Sequence, residues 1–395
     1  MQVIVSLFLF LIILFIFTER ILKHWLVVRF FSLPVPAQIK PVNLVSILQP
    51  ILSGDPTLSE GLEQNLNMKA SYSLEFLWLV DDDDLEAQRI CSALIKRYPH
   101  KRVKLILLPP PQGDQNPKTV KLIAGAAQTQ GDVLCVLDDD TRLPDFGLEE
   151  CLPHLDQADI GLAFGLPYYV SFQNTWSRLV AYFVNSHSLL TYIPYATLTE
   201  PVTINGMFYA IRREVLDSIG GFNGLEHILA DDFAIAQRMR EYGYRLAQTS
   251  LQHGISTSVV NARQYFNLIQ RWFIFPRESI MRHINAWEKA IFYGMIILPI
   301  FFPWLAVLVS VLSPSIWPVT MLYFLYSYLI FVHFNLGYLK KTSPWIHSYW
   351  VTLLSIILPM QILTALFAPQ RILWRGHVMQ AEAGGKFKFV RRRSS

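Results

Sequence analysis

The sequence predicts an α/β domain, a mostly parallel sheet with helices on both faces, held between N-terminal and C-terminal transmembrane helices. Three observations predict it. Apolar β-rich runs alternate with helix-like segments between Pro41 and Gln248. Long, nearly charge-free runs lie at both ends of the chain. Between them, three acidic clusters each follow an apolar run or open a helix-like segment: Asp81-Asp82-Asp83-Asp84, Asp138-Asp139-Asp140 and Asp231-Asp232.

The membrane component follows from composition. Hydrophobic residues make up 52% of the 395 and charged residues 16%, against about 25% charge in an ordinary soluble domain. The net charge of +4 is small, and its placement is more informative. Arg20, Lys23 and Arg29 follow the first apolar run. Lys340-Lys341, Arg371, Arg375 and Arg391-Arg392-Arg393 flank the later ones. That placement fits the positive-inside rule and not a nucleic-acid patch. It predicts a multi-pass integral membrane protein whose α/β domain faces the cytoplasm. Oligomeric state is not legible. Cys91, Cys135 and Cys151 have no CxxC spacing and read as reduced core residues, not zinc ligands.

Residues 3–17 are almost purely apolar, and Glu19-Arg20 ends the run. A basic n-region and a small-residue cleavage site do not flank it. The segment 1–24 is therefore expected to be an anchor with its N-terminus outside. Residues 41–262 are expected to form the α/β domain. Strands are expected at 42–48, 74–80, 103–108, 133–137 and 160–164, and helices at 58–68, 85–97, 118–128 and 233–242. Residues 263–288, aromatic and modestly basic, read as an interfacial segment.

Residues 289–369 hold three apolar stretches, 290–312, 316–339 and 346–368, each expected to span a bilayer. Pro299, Pro303 and Pro359 predict kinks or breaks. Four full spans from an outside N-terminus would put the basic tail, 370–395, outside. A last segment split at Pro359 and re-entrant would return it to the cytosol, so a thiol at Ser395 would then escape an external reagent.

Ligands on such a sheet bind beyond the C-terminal strand ends, where the first two acidic clusters sit. A strand running into Asp138-x-Asp140 turns two carboxylates to one side. Oxygen donors suit Mn2+ or Mg2+ bridging to diphosphate. Asp81 and Asp83 belong to a cluster read either as a nucleoside pocket or as an N-cap group. Asp231-Asp232 can favour a helix N-terminus or supply a general base. Lys118 opposes the dipole at its helix start, which a bound anion would offset. Arg271-Trp272 can belong to an interfacial aromatic belt or contact a ligand. His187 and His227 are isolated and read as structural. No Ser-His-Asp order, glycine-rich phosphate loop or paired-His metal signature stands out.

Taken together these stretches resemble the inverting, membrane-bound family-2-like glycosyltransferases of the GT-A fold. They are most similar to ceramide glucosyltransferases (glycosyltransferase family 21) and bacterial hopanoid-associated relatives. The residues that carry the resemblance run from Ser46-Ile47-Leu48-Gln49-Pro50, Gly54-Asp55-Pro56 and Asn65-Leu66 through the first aspartate cluster. They continue with Asn116-Pro117-Lys118, Asp138-Asp139-Asp140, Asn205-Gly206-Met207 and Ala230-Asp231-Asp232-Phe233, and end with Arg271-Trp272 and Ile372-Leu373-Trp374-Arg375. The resemblance implies a UDP-sugar donor, a divalent metal, a membrane lipid acceptor and inversion by direct displacement. It implies Asp232 as the base, and Pro50, Asp81, Asp83, Lys118, Asp138 and Arg271 as donor-binding. It also implies Trp272, Asp231 and Gly206 on the acceptor side, and Asp138 with Asp140 at the metal. Leu268, Gln49 and Asp231 depart from the usual Gln or Arg, Lys and Glu.

Transfer of a single hexose, glucose or N-acetylglucosamine, to a lipid hydroxyl (ceramide-like, hopanoid or glycerolipid) is the leading expectation. A processive polysaccharide synthase shares the acidic motifs but needs more spans for a channel. A nucleotide-binding membrane protein without catalysis is the third reading; a transporter would carry intramembrane charges, and the C-terminal stretches have essentially none.

Overall fold

The computed structural model describes residues 2–392 except Ala368 and Arg375, so Arg393 and Ser395 also lie outside the described residues. The chain divides into two compact units. One comprises Met1–Pro34, Tyr168–Thr199 and Ile284–Ala368; the other comprises Val35–Pro167, Glu200–His283 and Pro369–Ser395.

Among the described residues, three helical stretches of the first unit are long and apolar enough to cross a membrane: Ile4–Ser32, Ala286–Leu312 and Pro314–Gly337. The charges after residue 17 end the apolar run but not the helix, which continues to Ser32. Several of them find partners inside the unit. Lys23 pairs with Glu19 at 2.6 Å and donates to the Met295 carbonyl, while Arg20 donates to the Tyr323 hydroxyl. Ile13 and Ile16 pack with Phe302, Ala306, Val309 and Tyr323. The second stretch is irregular where its prolines fall, passing through a π-helical Tyr293–Ile297 and a 3-10 turn, Leu298–Phe301. Proline lacks the amide that a regular α-helix needs.

One expectation is corrected in this unit. The last apolar stretch is not split at Pro359, because that proline sits within one continuous helix, Trp350–Phe367, whose part Trp350–Ala365 is a shorter apolar helix among the described residues. Local adjustment of the backbone tolerates proline there. A 24-residue helix, Thr175–Leu198, also belongs to this unit, although it interrupts the α/β sequence.

The second unit is built on eight strands: Leu44–Ile51 (β1), Ser73–Asp81 (β2), Val103–Leu108 (β3), Val133–Leu137 (β4), Thr141–Arg142 (β5), Ile160–Tyr169 (β6), Phe208–Arg212 (β7) and Arg245–Ile255 (β8). Their order is β3-β2-β1-β4-β7-β6-β8-β5. The strands β3, β2, β1 and β4 are mutually parallel, whereas β7 is antiparallel to both β4 and β6, so the sheet is mixed. Every residue of β4 is buried, as expected for a strand covered on both faces. One core packs Ile47, Trp78 and Cys135 with the helices Leu58–Asn67 and Leu85–Arg97. The other packs Leu48, Leu79 and Val136 with Ile235 and Met239. The three cysteines are free and buried.

The basic tail folds as well. Arg371–Trp374 (β9), His377–Ala381 (β10) and Phe387–Arg391 (β11) form an antiparallel sheet. Ile372, Met379, Ala381 and Phe387 pack with Leu229 and with Ile274 of the helix Ala262–Phe275.

Gly131 enters β4 where the chain presses on β1. A Cβ there would lie 2.6 Å from Ser46 Oγ and 2.7 Å from both the Leu44 carbonyl oxygen and the Ser46 nitrogen. Two of those atoms are backbone and cannot swing away. Gly131→Ala is expected to destabilise the unit by about 1–3 kcal/mol, read as a lowered thermal midpoint in detergent; an unchanged midpoint would contradict this packing.

Candidate active site

Three parallel strands end side by side. Ile51 of β1 pairs with Val80 of β2, and β4 lies on the other side of β1. Beyond those ends lie Asp81 and the run Asp138-Asp139-Asp140. Because β7 runs the opposite way, its start adjoins the end of β4, with Phe208 opposite Leu137. The Asp138 amide donates to the Met207 carbonyl at 2.9 Å. This antiparallel neighbour therefore delivers Gly206 and Met207 to the carboxylates.

The helix Pro117–Ala126 brings the cation. Its N-cap is Asn116, whose side chain accepts from the amides of Lys118 and Thr119, and Pro117 occupies the first turn. Lys118 Nζ lies 2.7 Å from Asp138 Oδ1 and 3.0 Å from Asp231 Oδ2. It also donates to the Gly206 carbonyl at 2.8 Å. Burial alone would lower this ammonium's pKa, but Asp138 and Asp231 outweigh it and hold the pKa well above normal.

Asp138 shows the opposite balance. Burial pushes its carboxyl up to about 7 despite Lys118, with Asp140 and Asp231 adding repulsion. Asp139 accepts from the Leu52 amide at 2.9 Å, and one oxygen of Asp140 accepts from the Thr257 hydroxyl at 2.5 Å.

Asp231 and Asp232 open the helix Asp231–Glu241. Asp232 Oδ1 accepts from the Phe233 amide. Burial, and next the neighbouring Asp231, raise its carboxyl to about 6. Gly206 sits directly against it: a Cβ at 206 would lie 2.8 Å from Asp232 Cβ and 3.2 Å from its Oδ2.

The first cluster divides its work. Asp84 caps the helix Leu85–Arg97 through the Ala87 amide and accepts from the Ser53 amide. Asp82 and Asp83 are exposed. Asp81 is buried, with Oδ2 held by Lys121 at 2.8 Å. Its Oδ1 has no hydrogen-bond partner among the described residues. Burial raises the Asp81 carboxyl, Lys121 opposes this, and Asp83 and Asp84 reinforce it. Pro50 lies near the end of β1, half-buried.

The structure thus joins Lys118, Asp138, Asp231, Asp232 and Gly206, with Asp140 two residues after Asp138 in the chain. Asp81 belongs to a separate ion pair on the same helix. Arg271 and Trp272 are half-buried on the helix Ala262–Phe275. That helix packs through Ile274 against Leu229, two residues before Asp231.

Lys121 and Tyr209 carry weight that sequence reading missed. Lys121 had a signal, since it stands three residues after Lys118 and shares its helix face. Tyr209 of β7 had none. Its buried hydroxyl has no partner among the described residues, and burial, followed by Asp231, holds its pKa well above normal.

Hard oxygen donors fit a divalent cation. Asp138 and Asp140 offer carboxylates at one strand end, and Mg2+ or Mn2+ is commonly held by one or two carboxylates plus substrate phosphates. Among the described residues, no group of three or more His, Cys, Asp or Glu could hold a metal alone. Such a site would need a ligand's oxygens to complete it.

Comparison with known proteins gives consistent relatives. The family model described as Glycosyl transferase family 21 matches residues 8–387. Ceramide glucosyltransferase 1 of Caenorhabditis elegans is 24% identical over 249 residues, 62% of this chain and 52% of the relative. Ceramide glucosyltransferase 3 of the same organism is 25% identical over 244 residues, 61% and 52% respectively. The chain thus spans about half the length of these curated relatives. Among solved structures, the mannosyltransferase PcManGT from Pyrobaculum calidifontis, in complex with GDP-Man and Mn2+, is 17% identical. Its TM-score is 0.48, covering 92% of this chain and 98% of that one. GalNAc-T7 with UDP, GalNAc and Mn2+ is 14% identical at TM-score 0.44, covering 61% and 50%.

Gly206→Ala is expected to displace the Asp232 carboxylate while the fold survives, and to lower turnover about 10²-fold, the loss that a misplacement of about 1 Å near a reacting centre can cause. Full turnover in that variant, measured on folded protein, would show that the close approach has no consequence.

Proposed function

The chain belongs to glycosyl transferase family 21, and from that premise we propose that it moves a single hexose from a UDP-sugar to the hydroxyl of a membrane lipid, with inversion. The observation that carries the reading is the shared ammonium of Lys118 between Asp138 and Asp231. It links a strand end suited to a diphosphate with the helix that bears Asp232.

The residues divide the task. Asp81 Oδ1 accepts a hydrogen bond from the nucleoside, with Pro50 and Asp83 at the rim. Lys118 and Arg271 face the diphosphate. Asp138 and Asp140 would hold Mn2+ or Mg2+, which when bound offsets the charge that builds on the departing diphosphate. Trp272, Asp231 and Gly206 bound the acceptor side. Asp232, ionised, takes the proton from the acceptor hydroxyl as the oxygen attacks the anomeric carbon from the face opposite the leaving group. Gly206 keeps the space that this carboxylate occupies.

Glucose or N-acetylglucosamine is the proposed sugar, and a ceramide-like, hopanoid or glycerolipid hydroxyl the proposed acceptor. The ceramide glucosyltransferase relatives support the lipid. The span-capable helices support a membrane setting. Basic residues beside the apolar segments support a catalytic unit that faces the cytoplasm.

Asp232→Asn keeps the shape and removes the base, so UDP-sugar binding is expected to persist while transfer falls about 10²–10⁴-fold; wild-type turnover would remove Asp232 from the mechanism. The wild-type rate is expected to rise with pH along a limb centred near 6, because Asp232 must lose its proton before it can accept one. A flat profile between pH 5 and 7, on the order of one unit either side of that limb, would oppose the assignment. Excess EDTA is expected to stop transfer and added Mn2+ to restore it; an undiminished rate in EDTA would exclude the metal role of Asp138 and Asp140.

A further inference from the structure

Three segments far apart in sequence meet beside the candidate active site. They are the loop before Lys118, the loop before Asp231, and the C-terminal sheet β9–β11. The first two are already joined. The Asn116 amide donates to the Glu226 carbonyl at 2.6 Å, and Asn116 Nδ2 donates to the carbonyls of Ile228 and Leu229 at 3.0 Å each. His227 Nδ1 lies 3.1 Å from the Asp114 carbonyl oxygen.

The sheet grips both loops. On one side, the Phe389 amide donates to Asp114 Oδ1 at 2.8 Å. Arg392 donates to the carbonyls of Pro111 and Gly113 while its guanidinium stacks 4.5 Å over the Phe389 ring. On the other side, the Leu229 amide donates to the Gly385 carbonyl at 2.8 Å, and Ile228 forms an isolated antiparallel bridge with Lys386. Leu229 also inserts among Ile274, Ile372, Met379 and Phe387. Lys118 and Asp231 each follow such a gripped segment by a few residues.

We propose that the C-terminal sheet is a clasp that positions the active-site cluster, with Asp114 and Arg392 as positioning residues that act through the loops bearing Lys118 and Asp231. Neither residue touches the carboxylate cluster. Each fixes backbone whose next few residues do. The seam is made largely of hydrogen bonds to loop segments that are only partly buried, and such regions open locally at lower free energy than a core. Loss of one tie should therefore loosen both loops without unfolding the unit. The kinetic part of the proposal rests on the transferase reading; the structural part does not.

The test uses the full chain in detergent and compares wild type with Asp114→Ala, Arg392→Ala and Asp114→Asn. The asparagine variant keeps an oxygen that can accept from the Phe389 amide. In both alanine variants, amide hydrogen exchange over residues 116–120 and 229–234 is expected to quicken about tenfold or more, with the β1–β4 amides unchanged. Transfer should show kcat lowered and the UDP-sugar KM raised, about tenfold together in kcat/KM, and Asp114→Asn should recover most of both. Unchanged exchange in the two segments would overturn the clasp. A rate that falls only in proportion to folded protein, with KM unchanged, would overturn the positioning role. If wild type transfers no sugar yet exchange still quickens in both segments, the transferase reading fails and the clasp stands.

Discussion

The ammonium of Lys118 has three oxygen partners, Asp138, Asp231 and the Gly206 carbonyl, and each arrives on a different element. One follows a parallel strand, one opens a helix and one precedes an antiparallel strand. Such a contact is demanding. Removing one partner from a buried ion pair costs about 3–5 kcal/mol, because the remaining charge is left unpaired. Without Lys118, two carboxylates would face each other with no cation. The position is otherwise unfavourable for a lysine, since the helix N-terminus repels it. The arrangement holds because carboxylates and a carbonyl surround it.

That contact explains local features that look unrelated in sequence. The Asn116 cap and Pro117 start the helix where the Lys118 side chain can reach the end of β4. The reversal of β7 places Gly206 beside that end, and the missing side chain at 206 leaves the room Asp232 fills. A crowded set of carboxylates also shifts acid–base behaviour. Asp138 and Asp232 are held up near 7 and 6, in the range where a proton can be exchanged at neutral pH. The proposed metal fits that crowding, because a cation held by Asp138 and Asp140 would relieve it.

Much of the second unit was legible in the chain. The run 133–137 becomes a strand over those same residues, since a strand covered on both faces needs continuous apolar sequence, and 103–108 becomes the edge strand β3. The family inferred from motif order is the family whose model matches. Long-range geometry was not legible. The helix Thr175–Leu198 carries polar residues among its apolar ones, and nothing local says that it groups with the apolar helices. The tail reads as basic and short, and its three strands gain support from packing on Leu229 and Ile274 and from ties to the loops before Lys118 and Asp231. Tyr209 looks like any residue of a buried strand until Asp231 and Lys118 are placed around it. The division of labour within Asp81-Asp82-Asp83-Asp84 likewise needed the position of Lys121.

The most direct test of the account is a donor screen. Purified protein in detergent, with Mn2+ and a total lipid extract, is offered radiolabelled UDP-glucose, UDP-GlcNAc and UDP-galactose in turn. Under the transferase reading, label from one donor appears in a single organic-soluble product. Label confined to a water-soluble polymer, or none from any donor, would contradict it.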